Sequence, residues 1–589
     1  MLRDVLKWIA NPVFAEFPLF LMLILLLDYL ALYQFALSPT DWADIGFNTS
    51  RFLLITSVLS YLLTTVVYFT SSRFLKVIFY FFAILLIVID IYHYVCFHDT
   101  LLNPISIMLI LETNKHETIS FIDDYLLTEA GLITGIVALL LVIACVLVEK
   151  SRVWISKRLV ILPSNIKSFI GGFLLLVLVC GLLSFRCYIE LFNYKNIEEI
   201  DGWNKSYLQN ADRVTNLIYC FCEIKATGEA LKTAELNTIK LKNEKQSLKW
   251  PNDSTIVILV VGESYSKSHS NLYGYSHETN PRLKKELLKG NLFVFNDVLS
   301  PNMHTLEALR NIFSTNSVGN GEKWYDNPFF PAIFHQAGYQ VLFWDNQDDS
   351  QAKYPFDFTL NAYLHSPVIS ELSYDAQHPF VSLYDGELVD NFSKYWSEHH
   401  GGMHRFVMFH LQGQHLRAED HFPQVTEFQK FTVDSINRVE TWMTDEKKQE
   451  IVHYDNCTLY NDFVVAQIIS TFRDESSVLV YLSDHGENVY DIGDCVGRLS
   501  DIPYFYKIPF MIWCSDKFKE QHSDIVKSIQ KSVDKPLMSD NLCHLLMRLG
   551  GVKSVYYHES RDVLSSQYQC PPRVITGNRN YDLLRQQTK

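Results

Sequence analysis

Positive charge is scarce in this chain. Its 589 residues hold 51 Lys and Arg against 65 Asp and Glu, a formal net charge of -14. No basic cluster outside the membrane-like third could neutralise a run of phosphates, which argues against a nucleic-acid partner. Internal repeats and low-complexity tracts are also missing, so solenoid and disordered-tail architectures are set aside. The first apolar stretch lacks a convincing small-residue cleavage site, and four further stretches follow it. That pattern reads as an uncleaved anchor rather than a secretory signal.

Apolar length is plentiful, and it is concentrated. Phe17 to Leu37, Phe52 to Phe69, Val77 to Phe97, Ala130 to Val148 and Phe169 to Phe185 are each close to the length that crosses a bilayer. Arg3 and Lys7 precede the first, Arg73 and Lys76 lie between the second and third, and five Lys or Arg from Lys150 to Lys167 lie between the fourth and fifth. The intervening loops hold only Arg51 and Lys115. Positive residues collect on the cytoplasmic side, so the expectation is a cytoplasmic amino terminus and an exported remainder. Asp28 and Asp90 fall within the stretches, where a charge marks either a polar pocket or a bond between helices.

A chain of this size exceeds one core. The expected division is a five-helix transmembrane domain over residues 1–185, a polar bridge over 186–250 and a soluble domain over 251–589. In the last, short β-branched or aromatic runs alternate with helical periodicity: Thr255 to Val261, Val341 to Trp344, Phe406 to Phe409, Val478 to Leu482 and Phe510 to Trp513. Such alternation predicts an α/β fold with a mainly parallel sheet flanked by helices. Several of the eleven Cys would lie in an oxidising compartment, which leaves disulfides open without fixing their pairing.

The chemistry sits just after those runs. Glu263 follows the first, Asn346 and Gln347 the second, His410 and His415 the third, and Asp484 with His485 the fourth. Strand ends of this kind gather at the carboxyl edge of a sheet, where open α/β folds bind ligands. Glu263, Asp484 and His485 offer oxygen and nitrogen donors that suit zinc or manganese better than magnesium or calcium. Thr305 precedes a helical pattern, so its hydroxyl would meet exposed N–H groups at a helix start, where a phosphoryl group is stabilised. Taken singly, Asp-His-Gly after a strand is also an ordinary turn with a cap, and Thr305 an ordinary helix cap. His410 and His415 are equally readable as plain core or surface histidines. Their shared placement at successive strand ends is what singles them out.

The series Val261-Gly262-Glu263-Ser264, Tyr273-Gly274-Tyr275 with Thr279-Asn280-Pro281, Thr305, His410 to His415, Tyr454-Asp455-Asn456 and Ser483 to Glu487 resembles the bacterial phosphoethanolamine transferases. These are inner-membrane enzymes with five spans and a periplasmic domain of alkaline phosphatase and sulfatase type. The resemblance implies zinc held by Glu263, Thr305, Asp484 and His485, with one ion expected and a second left open. It implies Thr305 as the residue that takes up the phosphoryl group and His415 as a residue that contacts the transferred group or a second metal. His410 is the other histidine of that segment, and Thr113 and Glu117 fall in a loop that helps to form the donor pocket. The implied donor is phosphatidylethanolamine and the implied acceptor lipid A or a core sugar of lipopolysaccharide, with the enzyme a monomer in the membrane.

The sequence also departs from that pattern. No His occurs between His485 and His522, where modifiers of lipid A often carry one, and Ser268 to Tyr275 together with Asn488 to Asp491 look more like the branch that modifies the core. A family lysine after Trp344 is matched only by the displaced Lys353. Three competing readings follow from the same residues: a phosphoglycerol transferase of lipoteichoic-acid-synthase type, a sulfatase, and an inactive membrane receptor on the same fold. The Cys-x-Pro-x-Arg type motif of a sulfatase is missing around Thr305.

Overall fold

The structure, a computed structural model, describes the chain except residues 29–41, 98–128, 195–196, 198, 201–212, 348–362, 379–380, 400–403, 416, 495, 498–502 and 588–589. The candidates Thr113, Glu117 and Lys353 lie outside the described residues. The chain divides into two compact units, Met1–Ala230 and Leu231–Lys589.

In the first unit the helices are α1 (Leu2–Ala15), α2 (Phe17–Leu27), α3 (Trp42–Thr70), α4 (Arg73–Phe97), α5 (Glu129–Lys150) and α6 (Ser164–Ser184), with shorter pieces between and after them. Four described helices are long and apolar enough to cross a membrane, and the bent pair of α1 and α2 raises the number to five if it counts as one span. The first apolar stretch therefore differs from a simple span: the helix breaks by 75° at Glu16, just before Pro18. Pro18 lacks the N–H that would continue the ladder, and it sits where a new helix tolerates it. Arg3 and Lys7 lie within α1 rather than ahead of a helix. Glu16 is buried at the break, where Lys76 Nζ approaches it to 2.5 Å and Arg152 to 3.0 Å; Lys76 also reaches Glu149 at 2.6 Å. Asp28 accepts a hydrogen bond from Thr56 of α3, which answers the in-span acid with a contact between helices.

The second unit is built on a seven-stranded sheet. Its strands are β1 (Ile256–Gly262), β2 (Leu292–Val294), β3 (Gln340–Asp345), β4 (Ala376–Gln377), β5 (Arg405–His410), β6 (Ser477–Ser483) and β7 (Phe510–Cys514), in the order β2-β7-β6-β1-β5-β3-β4. The five from β6 to β4 run parallel, and β7 is antiparallel to both neighbours. Among the described residues no long helix lies between β6 and β7, and β7 runs antiparallel beside β6.

Every residue of β1, β5, β6 and β7 is buried, as expected of strands covered on both faces. Ile258, Val260, Val407, Phe409, Leu479 and Tyr481 share a core with Leu388 and Phe392 of α8 (Asp385–Glu398) and Val464, Ile468 and Phe472 of α9 (Asp445–Phe472). The alternate residues face the other layer, where Phe406 stacks on Phe334 with ring centroids 4.4 Å apart. The nine described cysteines are all free, so the disulfides left open by the compartment are not formed among them. Cys457, Cys514 and Cys543 are fully enclosed in the second unit, and burial pushes their thiols up, away from the reactive thiolate.

Candidate metal and nucleophile site

The parallel register aligns Val261 with His410 and Gly262 with Ser483, so the chain leaves β1, β5 and β6 at one level of the sheet. Glu263 and Asp484 are the first residues beyond their strands, and both are fully buried, as is His485. One ligand atom from each of Glu263, Asp484 and His485 lies within 4.8 Å of the other two. His485 Nδ1 lies 3.0 Å from the Gly486 carbonyl oxygen, while Nε2 faces Asp484 Oδ2 at 3.1 Å and Glu263 Oε1 at 3.3 Å. A carbonyl partner on Nδ1 would leave Nε2 as the ligand atom once a metal is bound.

Thr305 opens α7 (Thr305–Ile312), as the sequence predicts, with His304 at the cap position. Its hydroxyl lies 3.1 Å from Glu263 Oε2 and 3.2 Å from His485 Nε2. Four side chains separated by up to 222 positions in the chain thus meet within hydrogen-bonding reach. Burial by itself would raise the Glu263 carboxyl, but His485 and then His415 outweigh it and hold the group well below its usual range. Two buried carboxylates against a single imidazole leave negative charge in a low-dielectric place, which a divalent cation held by the three would answer. Mixed oxygen and nitrogen donors of this geometry fit zinc.

Backbone geometry holds the donors. Ser264, at φ 55°, donates its N–H to Asp484 Oδ1 at 3.0 Å and its hydroxyl to Glu263 Oε1 at 2.6 Å. Gln414 N–H bonds the Glu263 carbonyl at 3.0 Å, and the glycine at 413, with φ 54°, lies so close that an added Cβ would sit 2.6 Å from that same oxygen. Only a residue without a side chain fits there.

His410 is buried at the end of β5, with Nδ1 2.9 Å from Asp345 Oδ1 and Nε2 lacking a hydrogen-bond partner among the described residues. Asp345 is shared with His365 at 2.8 Å; although burial opposes it, the two histidines keep this carboxyl low. His415 is half-buried, close enough to act on the Glu263 charge, and its ring meets His421 edge-on at 5.9 Å. Asn346 bonds Asp385 Oδ1 at 2.8 Å, so it supports the turn at Gln412 and Gly413, whose N–H groups donate to the same carboxylate.

Sequence reasoning passed over several supports. Ser264 and Asp345 each adjoin a residue that was singled out. His269, buried in the loop after β1, has its Nδ1 2.7 Å from Asp455 of α9 and its Nε2 3.2 Å from Asp491. His277 Nδ1 and the Tyr275 hydroxyl meet the other oxygen of Asp455 at 2.7 and 2.8 Å. Tyr454 closes the cluster by accepting from Ser266 N–H and donating to the Ser264 carbonyl, both at 2.6 Å. Most of this cluster falls in the motifs Ser268 to Tyr275, Tyr454-Asp455-Asn456 and Asn488 to Asp491.

Comparison with known proteins agrees with the geometry. The sulfatase family model matches residues 255–552, half of the chain. A phosphoethanolamine transferase EptC of Escherichia coli O18:K1:H7 is 28% identical over 368 residues, covering 60% of this chain and 62% of the relative. Phosphoethanolamine transferase CptA of Salmonella typhimurium LT2 is 26% identical over 489 residues, covering 80% of this chain and 79% of the relative. This chain thus spans about 62% of the length of the EptC relatives it matches. A crystal structure of the C-terminal periplasmic domain of EptC from Escherichia coli in complex with Zn superposes with a TM-score of 0.50 at 26% identity, over 58% of this chain and 96% of that one. The integral membrane lipooligosaccharide phosphoethanolamine transferase EptA of Neisseria meningitidis shares the fold along 94% of this chain and 97% of its own, with a TM-score of 0.53 at 20% identity. The chain belongs to the sulfatase family, whose alkaline phosphatase type of domain it carries, and the relatives it resembles there are phosphoethanolamine transferases.

Proposed function

We propose that the protein transfers phosphoethanolamine from phosphatidylethanolamine to lipid A or to a core sugar of lipopolysaccharide through a covalent intermediate on Thr305. The observation that carries this reading is the Thr305 hydroxyl at 3.1 Å from Glu263, beside Asp484 and His485, at the start of a helix. The names of the similar proteins support the same reaction, and the hydroxyl nucleophile favours transfer over sulfatase chemistry.

Glu263, Asp484, His485 and Thr305 would hold one zinc, which when bound lowers the pKa of the threonine and offsets charge on the phosphoryl oxygens. Thr305 Oγ1 attacks phosphorus, the bond from phosphorus to the diacylglycerol oxygen breaks, and the proton given up by the threonine ends on diacylglycerol. An acceptor oxygen then displaces Thr305, losing its proton as the threonine regains one. His415 would relay both protons, since an imidazole can both accept and donate one. His410, held by Asp345 and with no hydrogen-bond partner on Nε2 among the described residues, would orient a phosphoryl oxygen or the acceptor hydroxyl.

In this reading residues 1–185 are the membrane domain, 186–250 the bridge and 251–589 the catalytic domain. The protein is a monomer of the bacterial inner membrane with its amino terminus in the cytoplasm and its site in the periplasm. Thr113 and Glu117, outside the described residues, are assigned to donor binding by the family resemblance alone. Both lipids lie in or at the bilayer, so tethering raises the effective concentration of enzyme at its substrates.

The test is mass spectrometry of the full-length protein incubated with phosphatidylethanolamine. A phosphoethanolamine-sized gain on the peptide holding Thr305, absent in Thr305→Ala and after zinc removal by a chelator, is the expected result. A glycerol phosphate adduct, or unmodified Thr305 with full transfer activity, would refute the proposal.

A further inference from the structure

The sheet puts His410 on the side of the nucleophile helix. Strand residues alternate between faces, and Ile258, Val260, Val407, Phe409 and Trp344 face α8 and α9, so Val261, His410 and Asp345 face the opposite layer. In that layer Phe343, two residues before Asp345, meets Phe313 at the end of α7 with ring centroids 6.4 Å apart. The register partner of His410 is Val261, two residues before the Glu263 carboxylate that Thr305 touches at 3.1 Å.

Three polar links run in line along this layer. His410 Nδ1 lies 2.9 Å from Asp345 Oδ1, His365 Nε2 lies 2.8 Å from Asp345 Oδ2, and His365 Nδ1 lies 3.1 Å from Gln377 Oε1. The His365 ring stacks on Phe343 at 5.3 Å, with 19° between the planes. Asp345 is buried, and its ion-pair partners among the described residues are these two histidines. A buried carboxylate answered by neutral groups alone is costly, so one of the two imidazoles carries a second proton. His365 is the better placed. Oxygen acceptors face both of its nitrogens, so both donate an N–H, whereas His410 has an acceptor on Nδ1 and none on Nε2 among the described residues. The His365 side chain is also 14% exposed against 1% for His410, and a cation costs less where water reaches it. The other titratable groups within reach are Asp385, Tyr374 and His378. The first two bring no positive charge, and burial lowers the third.

We propose that His365 is a positioning residue for the acceptor step: as an imidazolium it answers the charge of Asp345 and leaves His410 neutral, its Nδ1 donating to Asp345 and its Nε2 lone pair held for the acceptor hydroxyl. The inference rests on the transfer reaction proposed above and fixes the proton state that its second half needs. A lone pair accepts a hydrogen bond and donates none, so of the two groups named for His410 the hydroxyl fits and the phosphoryl oxygen does not. Nε2 holds that hydroxyl by its hydrogen until attack begins, and the proton transfers of the reaction stay as given above. A doubly protonated His410 would repel the same hydrogen, so the acceptor binds poorly wherever His410 is charged.

The experiment uses the full chain in detergent micelles, as wild type, His365→Gln and His365→Lys, with lipid A carrying its core oligosaccharide as acceptor. It follows kcat/KM for the acceptor from about pH 5.5 to 9.5, the range over which an imidazole changes charge. His365→Gln keeps an N–H for Asp345 without the charge, so the second proton passes to His410. The acidic limb should then move up by about one pH unit or more, with the loss at neutral pH mainly in KM. His365→Lys keeps a cation and should restore the wild-type limb. A limb that stays in place in His365→Gln, or a loss at every pH that His365→Lys does not rescue, would overturn the proposal. Nitrogen NMR of labelled histidine, with His410→Gln identifying the His410 signals, reads the ring without any transfer. Wild type at neutral pH should show His410 protonated at Nδ1 alone, and His365→Gln should show it protonated at both nitrogens. An imidazolium at His410 in wild type refutes the inference even where a variant fails to fold. If no adduct forms on wild-type Thr305, the transfer reading fails, and equal ring states of His410 in wild type and His365→Gln then refute this placement of charge as well.

Discussion

Ser264 shows how much a single side chain carries at this site. Its N–H fixes one oxygen of Asp484 and its hydroxyl fixes one oxygen of Glu263, so it sets the angle between two prospective metal ligands. Partners behind metal ligands commonly contribute 10- to 100-fold in affinity. Ser264→Ala should therefore weaken zinc binding by roughly 10- to 100-fold while the protein stays folded; competition against a calibrated chelator measures it, and an unchanged zinc Kd would show that Ser264 does not orient the ligands. Thr305→Ser, which keeps the hydroxyl, should retain the covalent adduct that Thr305→Ala loses.

At the scale of elements, the loops that bear the ligands are clamped to the long helix α9. His269 is the pin: Asp455 of α9 and Asp491 of the loop after β6 hold it from either side, with His277, Tyr275 and Tyr454 around them. Burial works against its charge, but the two carboxylates win and raise it to about 10. A pKa raised above the unfolded value adds stability that is complete below about 6.5 and disappears as pH climbs through the folded value. Between about pH 7 and 9 the wild-type protein should therefore lose about 1.4 kcal/mol per pH unit from this group. Thermal melts of His269→Gln should be flatter over that range and start lower, by roughly 3–5 kcal/mol, because two carboxylates are left facing each other. Parallel pH curves for variant and wild type would show that the pair carries no such charge.

The turn between β5 and His415 is the second such element. Gly413→Ala adds a methyl group 2.6 Å from the Glu263 carbonyl oxygen at a positive φ. The expected cost exceeds about 1 kcal/mol of stability, and the displacement of Glu263 should lower zinc affinity alongside. Stability and zinc titration measured together check this; loss of stability with intact zinc binding would mean that the turn yields rather than Glu263.

For the whole molecule, the tether should matter only when the substrate is a lipid. A chain lacking residues 1–185 should keep hydrolysis of a small soluble phosphoethanolamine ester within a few-fold but lose most transfer between lipids, because the site is no longer confined near the bilayer. Equal lipid transfer by the shortened chain, assayed in mixed micelles, would remove the reason for the membrane unit.

Sequence alone determined the parts whose signal is local. Apolar runs near bilayer length, strands buried on both faces and the residues that end those strands depend on composition and position along the chain, so Glu263, Thr305, Asp484 and His485 were legible before any coordinates. Only tertiary structure decided what depends on register and on distant partners. The parallel alignment of β1 with β6 closes the distance between Glu263 and Asp484, and that of β3 with β5 sets Asp345 beside His410. The break at Glu16, the clamp of His269 between Asp455 and Asp491 and the anchoring of His410 by Asp345 join residues up to 222 positions apart. A pattern read along one dimension has no access to such meetings, since they are set by how sheets and helices pack and by which charges must be answered once water is gone.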